Sequence, residues 1–228
     1  MIGILDSGIG GENTAENVRE LYSALDVLLL KDTKNAPYGT KSQEELINIT
    51  NANIDLLLRH GASRVLIGCC TASTVWDKLS ERQRSVSIPI IEPTARLAQS
   101  LTKSGKIALI ATERTVKDGA FARALGDSLS LSLPIQSLVT LTESGARDGT
   151  LSKKEARFLD DVLAPLEYSG ADTLILGCTH FPALKNEILK RVKKYGIENT
   201  VSSAFAAAYE LGRYPEAQAT ERGLTINI

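Results

Sequence analysis

The sequence has few aromatic residues, little net charge and no long apolar run, and each shortage excludes a class of function. Aromatic side chains make up 5% of the 228 residues, which argues against a platform for stacked nucleobases. The 26 Lys and Arg residues face 27 Asp and Glu residues, and a formal net charge of −1 attracts neither nucleic acid nor an anionic membrane. No apolar run approaches the roughly 20 residues that cross a bilayer. We therefore expect neither partner.

Cysteine is also scarce, with three residues in the chain. Three thiols cannot pair completely, so we expect no disulfide framework and a reducing, cytoplasmic compartment. The N-terminal MIGILDSGIGG has no basic leader and predicts a buried strand rather than a signal peptide. The cysteines and histidines lack C-x-x-C and H-x-x-x-H spacings, so no metal site is predicted.

Short apolar runs alternate with longer amphipathic segments along the chain. The runs predict strands IGIL (2–5), DVLLL (26–30), SRVLIG (63–68), IPII (88–91), KIALIA (106–111), PIQSLV (134–139) and DTLILG (172–177). Helical spacing predicts helices over residues 11–24, 42–60, 73–84, 93–103, 114–125, 152–168 and 182–195. Apolar strands separated by helices are typical of a doubly wound α/β fold, in which ligands bind at the carboxyl ends of parallel strands.

An internal repeat divides the chain. GASRVLIGCCT (61–71) aligns without a gap on GADTLILGCTH (170–180), so that Cys69 and Cys178 stand 109 positions apart. IGILDSG (2–8) over IALIATE (107–113) is a weaker match, which chance similarity between strands explains equally well. The repeat predicts two pseudo-symmetric α/β domains with parallel sheets, 1–92 and 93–202, and a tail, 203–228, that packs on the first. If the halves face each other, both thiols point into a cleft between them, where we expect the active site.

The two repeat-related cysteines are the candidate acid/base or nucleophilic groups. A single buried cysteine is most often an apolar filler, but a matched pair at two strand ends favours a chemical role. A helix that begins after the strand would lower the thiol pKa and make a thiolate accessible near neutral pH. His180 follows Cys178 by two residues and can polarise or protonate a neighbouring group. His60 ends a predicted helix and has no expected catalytic part.

Three further motifs carry polar groups at predicted strand ends. Asp6 in DSGIGG either orients a cation or a base or caps a turn, and its glycines have the wrong spacing for a dinucleotide site. The loop KDTKNAPYGTKS brings Tyr38 and Gly39 to the same edge of the sheet, where the alternative is an ordinary loop. Glu143 follows the predicted PIQSLV strand, where it binds a substrate ammonium group, assists a base or is a solvated turn residue.

The combination of DSGIGG, DT-x-x-x-PYG, a strand ending in Cys-x-Thr-Ala and LGCTHFPAL resembles the glutamate racemases of the aspartate/glutamate racemase superfamily. The resemblance covers about residues 1–185 in the family's order. It implies a reaction without a cofactor, in which one cysteine thiolate removes the α-proton of glutamate and the other cysteine returns a proton to the opposite face. It also implies that Cys69 acts on D-glutamate and Cys178 on L-glutamate, assisted by Asp6 and His180, with Glu143 as a further acid.

The resemblance further implies a set of substrate-binding positions: Asp6, Ser7, Tyr38, Gly39, Cys70, Thr71, Thr179 and His180. Cys70 stands where the family usually has asparagine, and a thiol is a poorer hydrogen-bond partner than an amide. The substrate could therefore be aspartate or another amino acid in place of glutamate. Two other functions also stay open: a non-catalytic binding protein descended from the family, and a redox protein that uses the Cys69–Cys70 pair. The expected partner is an amino acid whose D-isomer supplies peptidoglycan synthesis, and a homodimer is left open.

Overall fold

A computed structural model describes residues 1–218, which form two compact units. One unit contains Met1–Ile90 and the described chain after Ser203, and the other contains Ile91–Ser203. The end of the predicted tail, residues 219–228, lies outside the described residues. Within the described range, none of the helices combines the length and the hydropathy of a bilayer-spanning segment.

Strands and helices alternate in both units. The strands are β1 (Ile2–Asp6), β2 (Val27–Lys31), β3 (Arg64–Ile67), β4 (Ser87–Pro89), β5 (Ile107–Ala111), β6 (Leu129–Pro134), β7 (Thr173–Gly177) and β8 (Asn199–Ser202). The helices are α1 (Gly10–Leu21), α2 (Gln43–Arg59), α3 (Cys70–Ser73), α4 (Glu81–Val86), α5 (Ile91–Leu101), α6 (Glu113–Asp118), α7 (Ala120–Leu125), α8 (Ser137–Glu143), α9 (Lys153–Leu163), α10 (Lys185–Val192), α11 (Ser203–Glu210) and α12 (Pro215–Gln218).

Each unit contains one four-stranded parallel sheet. The strand orders are β2-β1-β3-β4 and β6-β5-β7-β8, so in each unit the first strand lies between the second and the third. Strands β1, β5 and β7 are buried at every position, which is the environment of a central parallel strand covered by helices on both faces. The predicted α/β fold with two related parallel sheets is confirmed.

The edge of the second sheet corrects one prediction. The predicted strand PIQSLV (134–139) is wrong. The strand of this region, β6, ends at Pro134, and α8 begins at Ser137. The LSLSLP sequence of β6 alternates leucine with serine, since an edge strand is only partly buried. The register shifts between Ile107 and Ala108, which leaves Ser130 as the extra residue of a bulge, and its hydroxyl donates to the Ile107 carbonyl oxygen at 3.2 Å.

Two predicted helices are divided, and β8, like β6, was not predicted. The segment 73–84 contains a 3₁₀ turn, Trp76–Lys78, between α3 and α4. The segment 114–125 divides at Gly119, whose φ of 77° is in the left-handed region that ends a helix. The short strand β8 carries polar residues, and its pattern has no continuous apolar run.

The described part of the tail packs on the first unit. The Tyr22 hydroxyl donates to the carbonyl oxygen of Tyr209 at 3.3 Å. The Arg64 guanidinium lies 4.4 Å from the centre of the Tyr214 ring, within the range of a cation–π contact. These contacts place α11 and the residues after it against α1 and β3.

The glycines that precede the repeated cysteines lie where neighbouring atoms leave little room. A Cβ at Gly177 would lie 2.7 Å from Leu109 Cδ1 and 3.0 Å from the Ile110 carbonyl oxygen. A Cβ at Gly68 would lie 3.2 Å from Thr14 Oγ1, with its other neighbours at ordinary distances. The absence of a side chain therefore lets each central strand pack closely just before its thiol.

Candidate active site

In the first unit, adjacent strands bring Asp6, Ser7 and Cys69 to one edge of the sheet. Strands β1 and β3 pair in parallel, and the Gly68 N–H donates to the Leu5 carbonyl oxygen at 2.8 Å. The residues that follow the two strands are therefore neighbours, and Ser7 Oγ lies 3.7 Å from Cys69 Sγ. Asp6 and Cys69 are buried.

The DSGIGG turn fixes the Asp6 carboxylate. The Gly8 N–H donates to Asp6 Oδ1 at 2.8 Å. A Cβ at Gly11 would lie 2.7 Å from Asp6 Cβ, so a glycine there allows the start of α1 to pack directly over the acid. The motif holds a buried negative charge beside the thiol.

The Cys69 thiol is a weak acid in this environment. Burial raises its pKa to about 11, and the negative charge of Asp6 contributes to the rise. The Ala72 and Thr71 N–H groups and the Ser7 hydroxyl lower the pKa, but by less. The N–H groups of the following turn lower the pKa as predicted, but desolvation outweighs them, so the predicted thiolate near neutral pH is not favoured.

Tyr38, in the PYG loop, belongs to a hydrogen-bond network with Asp32 and Asn53. Its hydroxyl donates to Asp32 Oδ2 at 2.8 Å and accepts from Asn53 Nδ2 at 3.1 Å, while Asn53 Nδ2 also donates to Asp32 Oδ2. Burial raises the Asp32 pKa, but the hydrogen bonds from Asn35, Asn53 and Tyr38 outweigh it and lower the pKa overall. The Tyr38 hydroxyl therefore keeps its proton and uses it in the hydrogen bond to Asp32.

Sequence reasoning missed Asn53. The residue lies on the α2 face that also carries buried Leu46, Thr50 and Leu57. An amide on an otherwise inward-facing stripe at helical spacing was the available signal, since a polar group there needs a partner.

Cys70 and Thr71 are buried in the first turn after Cys69. The Thr71 carbonyl oxygen accepts a hydrogen bond from Thr74 Oγ1 at 2.8 Å. Cys69, Cys70 and Cys178 are all free thiols, so the adjacent pair is not joined.

In the second unit, Cys178 and His180 follow the central strand β7 and meet Glu143. Cys178 Sγ lies 3.7 Å from His180 Nδ1, and both side chains are buried, as is Thr179. His180 Nε2 lies 3.4 Å from Glu143 Oε1, with side-chain exposures of 7% and 55%. The contact between Nε2 and Oε1 is close enough for an ion pair but does not have the geometry of a hydrogen bond. Nε2 consequently has no hydrogen-bond partner among residues 1–218.

The position of Glu143 corrects its predicted context. It is the last residue of α8 and does not follow a strand. Glu143 lies near His180 because α8 packs against the turn Phe181–Leu184, which follows β7. His60, the other histidine, ends α2, is exposed, and contacts the Leu56 carbonyl oxygen through Nδ1 at 2.8 Å.

Comparison with known proteins gives a consistent family. The family model for Asp/Glu/Hydantoin racemases matches residues 11–208. Glutamate racemase from Desulforudis audaxviator is 39% identical over 84% of this chain and 70% of that protein. The glutamate racemase isoform RacE1 from Bacillus anthracis has a structure with a TM-score of 0.80 at 29% identity, over 93% of this chain and 80% of that one.

Glutamate racemase from Thermus thermophilus, solved in complex with β-chloro-D-alanine, has a TM-score of 0.78 at 32% identity, over 97% of this chain and 82% of that one. The likeness therefore covers both units, including the strand ends that carry the thiols. The chain belongs to the Asp/Glu/Hydantoin racemase family.

Proposed function

We propose that this protein is an amino-acid racemase that interconverts L- and D-glutamate without a cofactor, with Cys69 and Cys178 as its two acid/base groups. Family membership and the similarity to glutamate racemases support a racemase acting on an amino acid. The observation that carries the mechanism is the repeated placement of a thiol. Each cysteine follows the third strand of its unit, and each has its own polar neighbours.

Inversion of an α-carbon needs a base on one face and an acid on the other. In the L-to-D direction, the Cys178 thiolate takes the α-proton and the C–H electron pair remains on carbon. The carbanion then takes the proton of the Cys69 thiol on the opposite face. The reverse sequence converts D-glutamate. The reaction therefore requires both thiols to reach one α-carbon.

The protonation state of Cys69 determines which role this cysteine can take in the resting protein. With a pKa of about 11, Cys69 is a thiol at neutral pH and is the acid of the pair. In this state Cys69 can serve as the proton donor in the conversion of L-glutamate. Conversion of D-glutamate requires Cys69 to lose its proton first. The Asp6 charge raises the thiol pKa, so we assign to this carboxylate the role of accepting the proton.

The developing carbanion also needs stabilisation, since an amino-acid α-proton is only weakly acidic. Hydrogen-bond donors around the substrate carboxylate supply it in a site with little water. We assign this part to the hydroxyls of Ser7, Thr71 and Thr179 and to the main chain at Tyr38 and Gly39. Cys70 completes the set of substrate contacts and is the residue through which a preference between glutamate and aspartate would arise.

The wider assignment follows from the reaction. D-glutamate made by this protein would supply peptidoglycan and cell-wall synthesis in the cytoplasm, where free thiols persist. We keep the predicted domains, 1–92 with 203–228 and 93–202, as a proposal; their boundaries differ by one or two residues from those of the two compact units. A homodimer stays a prediction.

Solvent exchange tests the proposal. L- and D-glutamate are incubated with the protein in D₂O, and NMR follows loss of the α-hydrogen while circular dichroism follows racemisation. We expect both for either enantiomer, with loss of racemisation in Cys69→Ala and Cys178→Ala. His180→Asn should lower the rate at least about a hundredfold, while the control His60→Asn keeps it.

Three results contradict the proposal. Absence of exchange in folded protein would exclude glutamate racemisation. Racemisation that survives either alanine variant would exclude the two-thiol mechanism. A faster reaction with aspartate in a parallel assay would reassign the substrate.

A further inference from the structure

Glu143 has little of its own to hold it beside His180. It is the terminal residue of a seven-residue helix, more than half of its side chain is exposed, and the contact with His180 is not a hydrogen bond. An exposed glutamate loses considerable side-chain entropy when it is held in one position. Its position must therefore be set by the backbone that carries it.

The residues after Glu143 close the end of α8. The turn passes through Gly145, whose φ of 102° lies in the left-handed region. The Arg147 guanidinium then folds back, and its Nη1 donates to the carbonyl oxygens of Thr142 at 2.7 Å and Ala146 at 2.8 Å. These carbonyls lie on either side of Glu143 in the chain, so the arginine fixes the backbone that carries the acid.

Asp148 ties this turn to the segment that follows His180. Its Oδ1 accepts from the Glu187 N–H at 3.0 Å, and its Oδ2 accepts from the Asn186 N–H at 3.1 Å. Its own N–H donates to the Ala183 carbonyl oxygen at 2.9 Å. The carboxylate thus caps the first turn of α10, where the helix dipole also favours a negative charge.

We propose that Asp148 is a positioning residue for the reaction: by fastening the turn after Glu143 to the turn after His180, it keeps the Glu143 carboxylate within reach of the imidazole. Asp148 touches neither the substrate nor a thiol in this scheme. The inference rests on the proposed function, in which His180 assists Cys178.

The first test is a double-mutant cycle. Asp148→Ala should lower kcat by about tenfold to hundredfold, because a misplacement of the order of 1 Å at a catalytic group has this effect. In a Glu143→Gln background the same substitution should change kcat less than twofold, since no acid remains to be positioned. Asp148→Asn, which keeps one acceptor, should have an intermediate effect.

Asp172 provides a matched control. It is another carboxylate of the second unit that accepts main-chain N–H groups from a loop, those of Lys103 at 2.8 Å and Ser104 at 2.6 Å. It precedes β7, at the end of the strand remote from Cys178. Asp172→Ala should lower the thermal midpoint as Asp148→Ala does but leave kcat and KM within about twofold of the parent, as for a residue outside the site.

A second readout separates positioning from general destabilisation. Primary isotope effects are measured with α-deuterated L- and D-glutamate. If Asp148→Ala weakens the Cys178 side alone, transfer through Cys178 becomes more rate-limiting. The isotope effect on kcat/KM should then rise for L-glutamate, whose deuteron Cys178 removes, and fall for D-glutamate. A uniform loss of folded protein changes neither.

The outcomes are distinct. An equal effect of Asp148→Ala in the parent and Glu143→Gln backgrounds, or unchanged isotope effects, overturns the positioning role while leaving the racemase assignment intact. An effect of Asp172→Ala on kcat equal to that of Asp148→Ala overturns it also. Absence of racemisation in the unmodified protein instead refutes the proposed function.

Discussion

Substitution of Gly177 by alanine tests whether the strand before Cys178 is as tightly packed as the structure has it. The added Cβ would lie 2.7 Å from Leu109 Cδ1, 3.0 Å from Ala111 Cβ and 3.0 Å from the Ile110 carbonyl oxygen. Only the first of these atoms ends a flexible side chain, and Leu109 is itself buried. Relief therefore requires backbone movement in two neighbouring strands.

The magnitude follows from two opposing effects. Overpacking of a close-packed core costs about 1–3 kcal/mol, and fixed neighbours place Gly177→Ala in the upper part of that range. Alanine lowers the entropy of the unfolded chain, which returns about 0.4–1 kcal/mol because the glycine has no positive φ. We expect a net loss of about 2 kcal/mol, or about 4–8 °C in Tm for a chain of this length.

Gly68→Ala is the matched control, because it changes the equivalent glycine of the other unit. Its tightest neighbour is Thr14 Oγ1 at 3.2 Å, a hydroxyl that has no hydrogen-bond partner within residues 1–218, so a small shift of this atom breaks no hydrogen bond. The gain in the unfolded state and the small compression should nearly cancel, to within about 0.5 kcal/mol.

Urea unfolding measures both substitutions. Circular dichroism follows the two units together, and the single tryptophan, Trp76, reports on the first unit by fluorescence. Gly177→Ala should lower the midpoint seen by circular dichroism, and Gly68→Ala should leave the Trp76 midpoint nearly unchanged. A neutral Gly177→Ala, or an equal loss in Gly68→Ala, would refute the packing argument.

Two further predictions concern protons. In Asp6→Asn the Cys69 pKa should fall, since the carboxylate charge helps to raise it. The rate of Cys69 alkylation by iodoacetamide, followed by mass spectrometry between pH 7 and 10, should then have its pH midpoint at a lower pH than in the parent. An unchanged midpoint would contradict the electrostatic role of Asp6. Four hydrogen-bond donors outweigh desolvation and lower the folded-state pKa of Asp172. The contribution of the Asp172 carboxylate to folding stability is therefore complete above the unfolded pKa of about 3.9 and is lost as the pH falls through the folded-state pKa. The urea midpoints of the parent and Asp172→Asn should therefore differ at pH 7 and converge below about pH 4, and a constant difference would exclude this linkage.

The elements that were predicted best from the sequence are the strands that consist of continuous apolar runs. Strands β1, β3, β5 and β7 were placed within a residue or two, because strands buried on both faces carry few polar residues. Strand β6 was missed, because serine at an edge costs little and breaks the run. The preference of SLVTLT for a strand was overridden by packing, which made it α8 and placed Glu143 on a helix end.

The parts of the site that escaped prediction depend on contacts between distant positions. Asn53 reaches Asp32 across 21 positions of the chain, and Asp148 reaches Glu187 across 39. The weak acidity of Cys69 likewise depends on burial and on Asp6, which only the folded sheet brings near. Motif spacing identifies the groups that carry chemistry, whereas the groups that orient them become visible only in three dimensions.

The irregular edge strand β6 has a consequence for association. An exposed parallel edge offers main-chain groups to any passing strand, and such edges promote aggregation. Here the bulge at Ser130 interrupts the regular pairing of β6, and the serine hydroxyl bonds back to β5, at the Ile107 carbonyl oxygen. Pro134 ends the strand and has no N–H to donate. The bulge and the proline therefore make β6 a poor template for extension of the sheet by another chain.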